Sequence, residues 1–232
     1  MTDASELAAF AALLADRTRA AMCLALLDGR AWTAGELAKH AGVARSTATE
    51  HLDRLIGGGL LSEARQGRHR YVRLADPGVA GLLEDITARL EPGLPAVRGL
   101  RAATADAALR RGRTCYDHLA GRLGVAVTDA LTRDGLLDQE GGFAVTGYGV
   151  TWLIERLGVE PERLRAGRRP LARACLDWTE RRPHLGGVAG ARVCETFLGR
   201  GWVGRIGSGR AVKVTPSGRV ALRELLALTD LD

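Results

Sequence analysis

Apolar residues recur at helical spacing over 6–14 and again over 20–27. Asp28-Gly29 closes the second run, with glycine supplying the left-handed backbone that a helix end favours. A short helix is predicted over 34–40, where Thr33 followed by Glu36 makes a capping-box candidate. Gly42 permits a sharp turn, and a second helix follows over 45–56 with Ala48, Leu52, Leu55 and Ile56 facing inward. After Gly57-Gly58-Gly59 comes "LLSEARQGRHRYVRLADP", which predicts two strands, 60–65 and 70–74, around a Gln66-Gly67-Arg68-His69 turn. Pro92 and Pro95 break the helical pattern, so a boundary is expected between a first domain, 1–92, and a second, 93–232.

The second half carries an internal repeat. "CYDHLAGRLG" from Cys115 returns as "CLDWTERRPHLGGVAG" from Cys175, once six extra residues are allowed for. The register continues from "FAVTGYG" to "VKVTPSG", aligning Thr146 with Thr215 and Gly149 with Gly218. Two degenerate copies are expected, about 113–158 and 173–228, each reading as helix, glycine turn, helix, short hairpin and helix. The expected fold class is therefore mainly α with small β wings, an α+β chain. An N-terminal winged helix-turn-helix precedes two winged-helix-like repeats.

Two helices across a glycine turn, followed by a hairpin, can place the second helix in a major groove and the hairpin against phosphates. The outward face of 45–56 carries Arg45, Ser46, Thr47, Thr49, Glu50 and Arg54, and the hairpin carries Arg65, Arg68, His69 and Arg70. A net charge of +6, supplied almost wholly by arginine, suits an anionic partner. The middle copy departs from this pattern. Its helix after Gly124, "VAVTDAL", is apolar, presents Asp129 and reads as about six residues shorter, so it belongs to a core or interface. In the third copy, Arg205, Arg210 and Lys213 make a basic hairpin that reads as a solvated loop or an auxiliary phosphate contact.

Through "ELAKHAGVARSTATEHLDRLIGGGLLSEARQGRHRYVRLAD", residues 5–90 resemble the winged-helix repressors of the ArsR type. The resemblance implies a homodimer on a palindromic double-stranded DNA operator, released when an effector is sensed. It further implies subunit pairing through a helix over 79–90 with Leu82, Leu83, Ile86 and Leu90 on one face. Metal sensors of this family carry cysteines at the start of the helix before the turn, where this chain has Thr33 and Gly35. Others use Asp, His and Glu on the dimer helix, but "LLEDITARLEP" has no histidine. Both familiar metal sites are missing from the sequence.

What the second half senses stays open at this level. Cys115, Asp117 and His118 form one cluster and Cys175, Asp177 and His184 the duplicate; if the copies pack about a pseudo-twofold axis, all six side chains converge. They suit structural packing, an effector pocket, a metal or a redox-switched cysteine pair. Trp152, Trp178, Arg181 and Arg182 suit a pocket for an aromatic or acidic molecule. Cys23 and Cys194 lie in apolar helical runs and read as core. A cysteine-dependent enzyme is the weakest reading, because no nucleophile elbow, phosphate loop or zinc-protease pattern is present. No motif names a cofactor. Four scattered cysteines, an amino terminus unlike a signal peptide and no long apolar run predict a soluble, cytoplasmic chain without membrane contact.

Overall fold

A computed structural model describes residues 3–67, 69–90, 100–165, 169–207 and 209–230. The chain divides into two compact units, Met1–Leu83 and Glu84–Asp232.

In the first unit, α1 (Ala4–Leu14) starts from a capping box made by Asp3 and Glu6, and α2 (Arg17–Leu26) starts from Asp16. The Arg19 side chain donates back to the carbonyls of Leu13 and Ala12, which ties the two helices together. A two-residue strand, β1 (Trp32–Thr33), leads into α3 (Ala34–Ala41), whose predicted capping box is present. The Thr33 hydroxyl accepts from the Glu36 amide, and the Glu36 carboxylate accepts from the Thr33 amide at 2.7 Å. Removing that hydroxyl in Thr33→Ala should cost about 1 kcal/mol of stability, read as a lowered midpoint in urea at unchanged slope.

Gly42 adopts φ 69°, the left-handed conformation its place in the turn requires, and α4 (Arg45–Gly57) follows. Ala48, Leu52 and Leu55 are fully buried with Met22, Leu26, Leu37, Leu60 and Val72, while Ile56 is half-buried. The hairpin of β2 (Leu61–Gln66) and β3 (His69–Leu74) lies in register from Leu61↔Leu74 to Gln66↔His69. β1 adds to β3 and makes a three-stranded sheet of order β1-β3-β2, a strand too short to show in the sequence. The last helix, α5 (Pro77–Arg89), contains the division between the units, because Glu84 and Asp85 make their contacts with the second unit. The boundary expected at residue 92 lies outside the described residues.

The second unit opens with α6 (Leu100–Arg111) and then shows the duplication as an element order. β4 (Arg113–Cys115), β5 (His118–Ala120), α7 (Gly121–Arg133), β6 (Leu137–Asp138), β7 (Ala144–Val145) and α8 (Gly147–Glu155) make the first copy. A 3₁₀ turn at Pro161–Arg163 separates it from the second. That copy is β8 (Arg173–Leu176), β9 (Pro183–Gly186), α9 (Gly187–Gly199), β10 (Val203–Arg205), β11 (Val212–Val214) and α10 (Pro216–Leu226).

Each copy therefore begins with a hairpin, where the sequence predicts a helix before the glycine turn. Gly121 and Gly187, at φ 72° and 81°, turn strand directly into helix. A Cβ on either would lie 2.8 Å from the carbonyl oxygen of Arg110 or Leu171. Because α7 begins at Gly121 rather than after Gly124, it is as long as α4, 13 residues each, and not shorter as expected. What the copies share with the first unit is the order helix, hairpin, helix, without the preceding helix.

The core of this unit is built symmetrically. Leu119, Leu123, Val127 and Leu131 of the first copy meet Leu185, Ala189, Val193 and Phe197 at equivalent positions of the second. β5 packs on α9 while β9 packs on α7. Thr146 and Thr215 cap α8 and α10 in the same way, each accepting from the glycine amide three residues on. α7 is buried along most of its length, and Asp129 is spent on Arg182 at 2.7 Å, which suits the core role expected of it. Cys23 and Cys194 are buried, as their apolar surroundings predict, and burial pushes both thiols up to about 12.

Candidate functional site

The amphipathic pattern that buries Ala48, Leu52 and Leu55 turns the rest of α4 outward. Arg45, Ser46, Thr49, Glu50 and Arg54 are exposed and Thr47 is half-buried. The Thr49 hydroxyl donates to the Arg45 carbonyl at 3.0 Å and keeps its lone pairs for an incoming donor.

Arg70 departs from the role its sequence position suggests. Its guanidinium donates to Asp53 of α4 at 2.7 Å and also to Glu63 of β2. It therefore braces the hairpin to the helix instead of presenting a free cation. Arg65, directly opposite Arg70 in the ladder, is exposed. The His69 backbone closes the hairpin against Gln66, and Arg68 lies outside the described residues.

A second constellation lies in the C-terminal unit. Cys115 and His118 face each other across one hairpin, and Cys175 and His184 across its duplicate. The hairpins bring the four together, with one donor atom from each within 4.8 Å of all the others. Exposure is 6% for Cys115, 3% for His118, 1% for Cys175 and zero for His184. The Nε2 atoms of the two histidines stand 3.1 Å apart, with the rings stacked.

Asp117 and Asp177 do not join the cluster; each sits behind an imidazole. Asp117 Oδ1 is 3.3 Å from His118 Nδ1, and its carboxylate is clamped by Arg169 at 2.9 Å. Asp177 Oδ2 is 3.5 Å from His184 Nδ1, close enough for an ion pair but without a hydrogen bond at that nitrogen. The Asp177 carboxylate accepts from Arg113 at 2.8 Å, from the amides of Gly121, Thr179 and Glu180, and from the Thr179 hydroxyl. Three side chains here escaped the sequence reading. Arg113 and Arg169 carry no motif, and Glu84 precedes the expected domain boundary. Glu84 is 5% exposed, lies 3.5 Å from Cys175 Sγ and leaves its Oε1 unpartnered.

The protonation states are set mutually. Burial opposes the charged form of His118, but Asp117, Cys175 and Glu84 outweigh it and lift the ring to about 10. Burial lowers His184, leaving it neutral. Hydrogen bonding from Cys115 holds Cys175 far below the usual thiol range, and the same contact, with burial, drives Cys115 well above it. Burial raises Glu84 to about 7, whereas Arg169 overcomes the burial of Asp117 and holds it at about 2.

Trp152 packs against the core, and Trp178 lies under the Arg113 guanidinium, 4.6 Å from its ring centre. Arg182 is committed to Asp129. A cleft of about 540 Å³ in this unit is lined by Arg111, Arg122, Lys213 and Arg219 among others.

A capped helix-turn-helix with a polar, arginine-bearing second helix and a hairpin braced against it defines a winged helix-turn-helix DNA-binding regulator. Residues 14–64 match the family described as a helix-turn-helix domain. Over 221 residues the chain is 38% identical to an uncharacterized HTH-type transcriptional regulator of Bacillus subtilis, YdfF, covering 95% of this chain and 96% of that one. The HTH-type transcriptional regulator CmtR of Mycobacterium tuberculosis is 38% identical over 106 residues, 44% of this chain and 88% of CmtR. The solution structure of that species' cadmium metal-sensor CMTR is similar at 33% identity and a TM-score of 0.32, over 40% of this chain and 95% of its own. The chain belongs to the family of HTH-type transcriptional regulators.

Proposed function

We propose that this regulator is a cytoplasmic homodimeric repressor that binds a palindromic operator through α4 and the wing, and that its C-terminal unit senses the effector releasing it. The observation that carries the reading is the pairing of two features. One is the exposed face of Arg45, Ser46, Thr49, Glu50 and Arg54, with Thr47 at its edge; the other is a hairpin whose Arg70 is spent on holding it to that helix. The α4 residues reach base edges and neighbouring phosphates, while Arg65, Arg68 and His69 meet phosphates alongside. Dimerisation is supported by Leu82 and Ile86, 38% and 41% exposed on one face of α5, with Leu90 just beyond its end at 60%.

Regulation rather than catalysis is favoured because Cys115 and Cys175, the thiols clustered with His118 and His184, are buried away from any substrate. The test is fluorescence anisotropy of the chain's own promoter fragment against random fragments at moderate ionic strength. Preference for the promoter is expected; equal affinity for both overturns the reading. In light scattering the protein should behave as a dimer. Ile86→Glu should shift it to monomer and weaken promoter binding with it, whereas a variant that stays dimeric would remove α5 from the interface.

A further inference from the structure

The four buried side chains at the centre of the second unit have a geometry that packing alone does not require. Each hairpin presents one cysteine and one histidine as directly opposed residues, Cys115↔His118 and Cys175↔His184. Both imidazoles turn Nδ1 toward a carboxylate and Nε2 toward each other. That is how metal-binding histidines are oriented, with the outer carboxylate fixing the ring and the free nitrogen left for the ion. Each carboxylate is itself matched by an arginine, Asp117 by Arg169 and Asp177 by Arg113, so neither competes as a ligand. Zn–N bonds of about 2.0–2.1 Å in a tetrahedron place the nitrogens about 3.4 Å apart, close to the 3.1 Å observed. An ion displaces the protons of His118 and Cys115, and the resulting two thiolates and two neutral imidazoles cancel a double positive charge in a site that admits almost no water.

We propose that Cys115, His118, Cys175 and His184 bind one thiophilic divalent cation of the zinc class, bridging the two repeats, and that its occupancy changes operator affinity. The second part rests on the regulator reading above. Glu84 supplies the link: its carboxylate sits 3.5 Å from Cys175 Sγ and is carried by α5, the helix that bears Leu82 and Ile86. An ion that takes up the sulfur alters what this buried carboxylate touches, and the helix registers the change. By reciprocity, DNA then alters metal affinity by the same factor.

The experiment uses the full chain, reduced and stripped with a chelator, titrated with Co²⁺ and then Zn²⁺. One Co²⁺ per chain is expected, with the strong visible bands of a tetrahedral site and a thiolate charge-transfer band, both erased by one Zn²⁺. Cys175→Ser should lose the tetrahedral spectrum. Asp117→Asn, at a partly exposed positioning residue, should keep it while weakening Zn²⁺ binding 10- to 100-fold. A folded, reduced protein that takes up no Co²⁺ overturns the site. So does formation of a Cys115–Cys175 disulfide with no metal uptake.

The operator arm compares Zn²⁺-loaded and stripped protein on the promoter fragment, where at least a fivefold difference is expected. Equal, tight binding by both forms overturns the link and leaves a structural ion. If neither form prefers the promoter, the regulator reading and the link fall together, and the Co²⁺ titration alone decides the site.

Discussion

Asp177→Ala should lower the unfolding free energy of the C-terminal half by about 3–5 kcal/mol, the cost of removing one partner from a buried ion pair. Asp177 and Arg113 are both completely buried, so the variant leaves a guanidinium with no counter-charge where water cannot reach it. It also orphans the Gly121 amide at the start of α7 and the Thr179 amide in the β8–β9 loop. For a unit of this size the loss corresponds to roughly 10 °C in thermal midpoint, measurable by calorimetry.

The pH dependence has a fixed sign. Burial acts to raise this carboxyl, but Arg113 and the Thr179 hydroxyl outweigh it and hold it well below the ordinary range. Its stabilisation is therefore complete above the unfolded value of about 4 and is lost as pH falls below it, so wild type and variant should converge only in acid. Replacing both partners, as in Arg113→Met with Asp177→Leu, should recover the part of the loss due to the unpaired guanidinium, while the orphaned Gly121 and Thr179 amides keep the variant below wild type. A single-variant loss under about 1 kcal/mol would mean that water reaches Arg113 after all.

The first unit was legible because each local signal agrees with the packing. The helical period, the Thr33–Glu36 box and Gly42 all point the same way, and the structure keeps them. Arg70 was not legible as a brace because its partners, Asp53 and Glu63, are brought to it only when the hairpin folds onto α4. In the second half the duplication was readable from identity alone, but the hairpins were not. Residues i and i+3 are neighbours on a helix and also opposite each other across a two-residue turn, so the Cys115–His118 spacing fits both.

The second copy shows why only the hairpin is consistent. Its extra residues fall in the loop between β8 and β9, and Cys175 still faces His184, which an insertion within a helix would not allow. Convergence of the two cysteine–histidine pairs depended on the packing of one copy on the other, which the sequence could pose only as a condition. Glu84 enters from the far side of the expected boundary, and no spacing rule connects it to Cys175.

Arg45→Ala should weaken promoter binding by about 1–3 kcal/mol, roughly 5- to 150-fold, while leaving random-fragment binding much less affected. Arg45 is the first residue of α4 and is exposed, and base edges are met by the leading residues of a groove-reading helix. Arg65→Ala should behave differently. A phosphate contact from the wing carries no sequence information, so its loss should weaken both fragments equally and reduce the slope of log affinity against log salt by about 1. Arg70→Ala separates a third effect: with its guanidinium spent on Asp53 and Glu63, it should loosen the wing and lower stability rather than behave as a lost phosphate contact. Equal weakening of promoter and random fragments by Arg45→Ala would move that residue from base reading to backbone contact. No weakening at all would remove α4 from the groove.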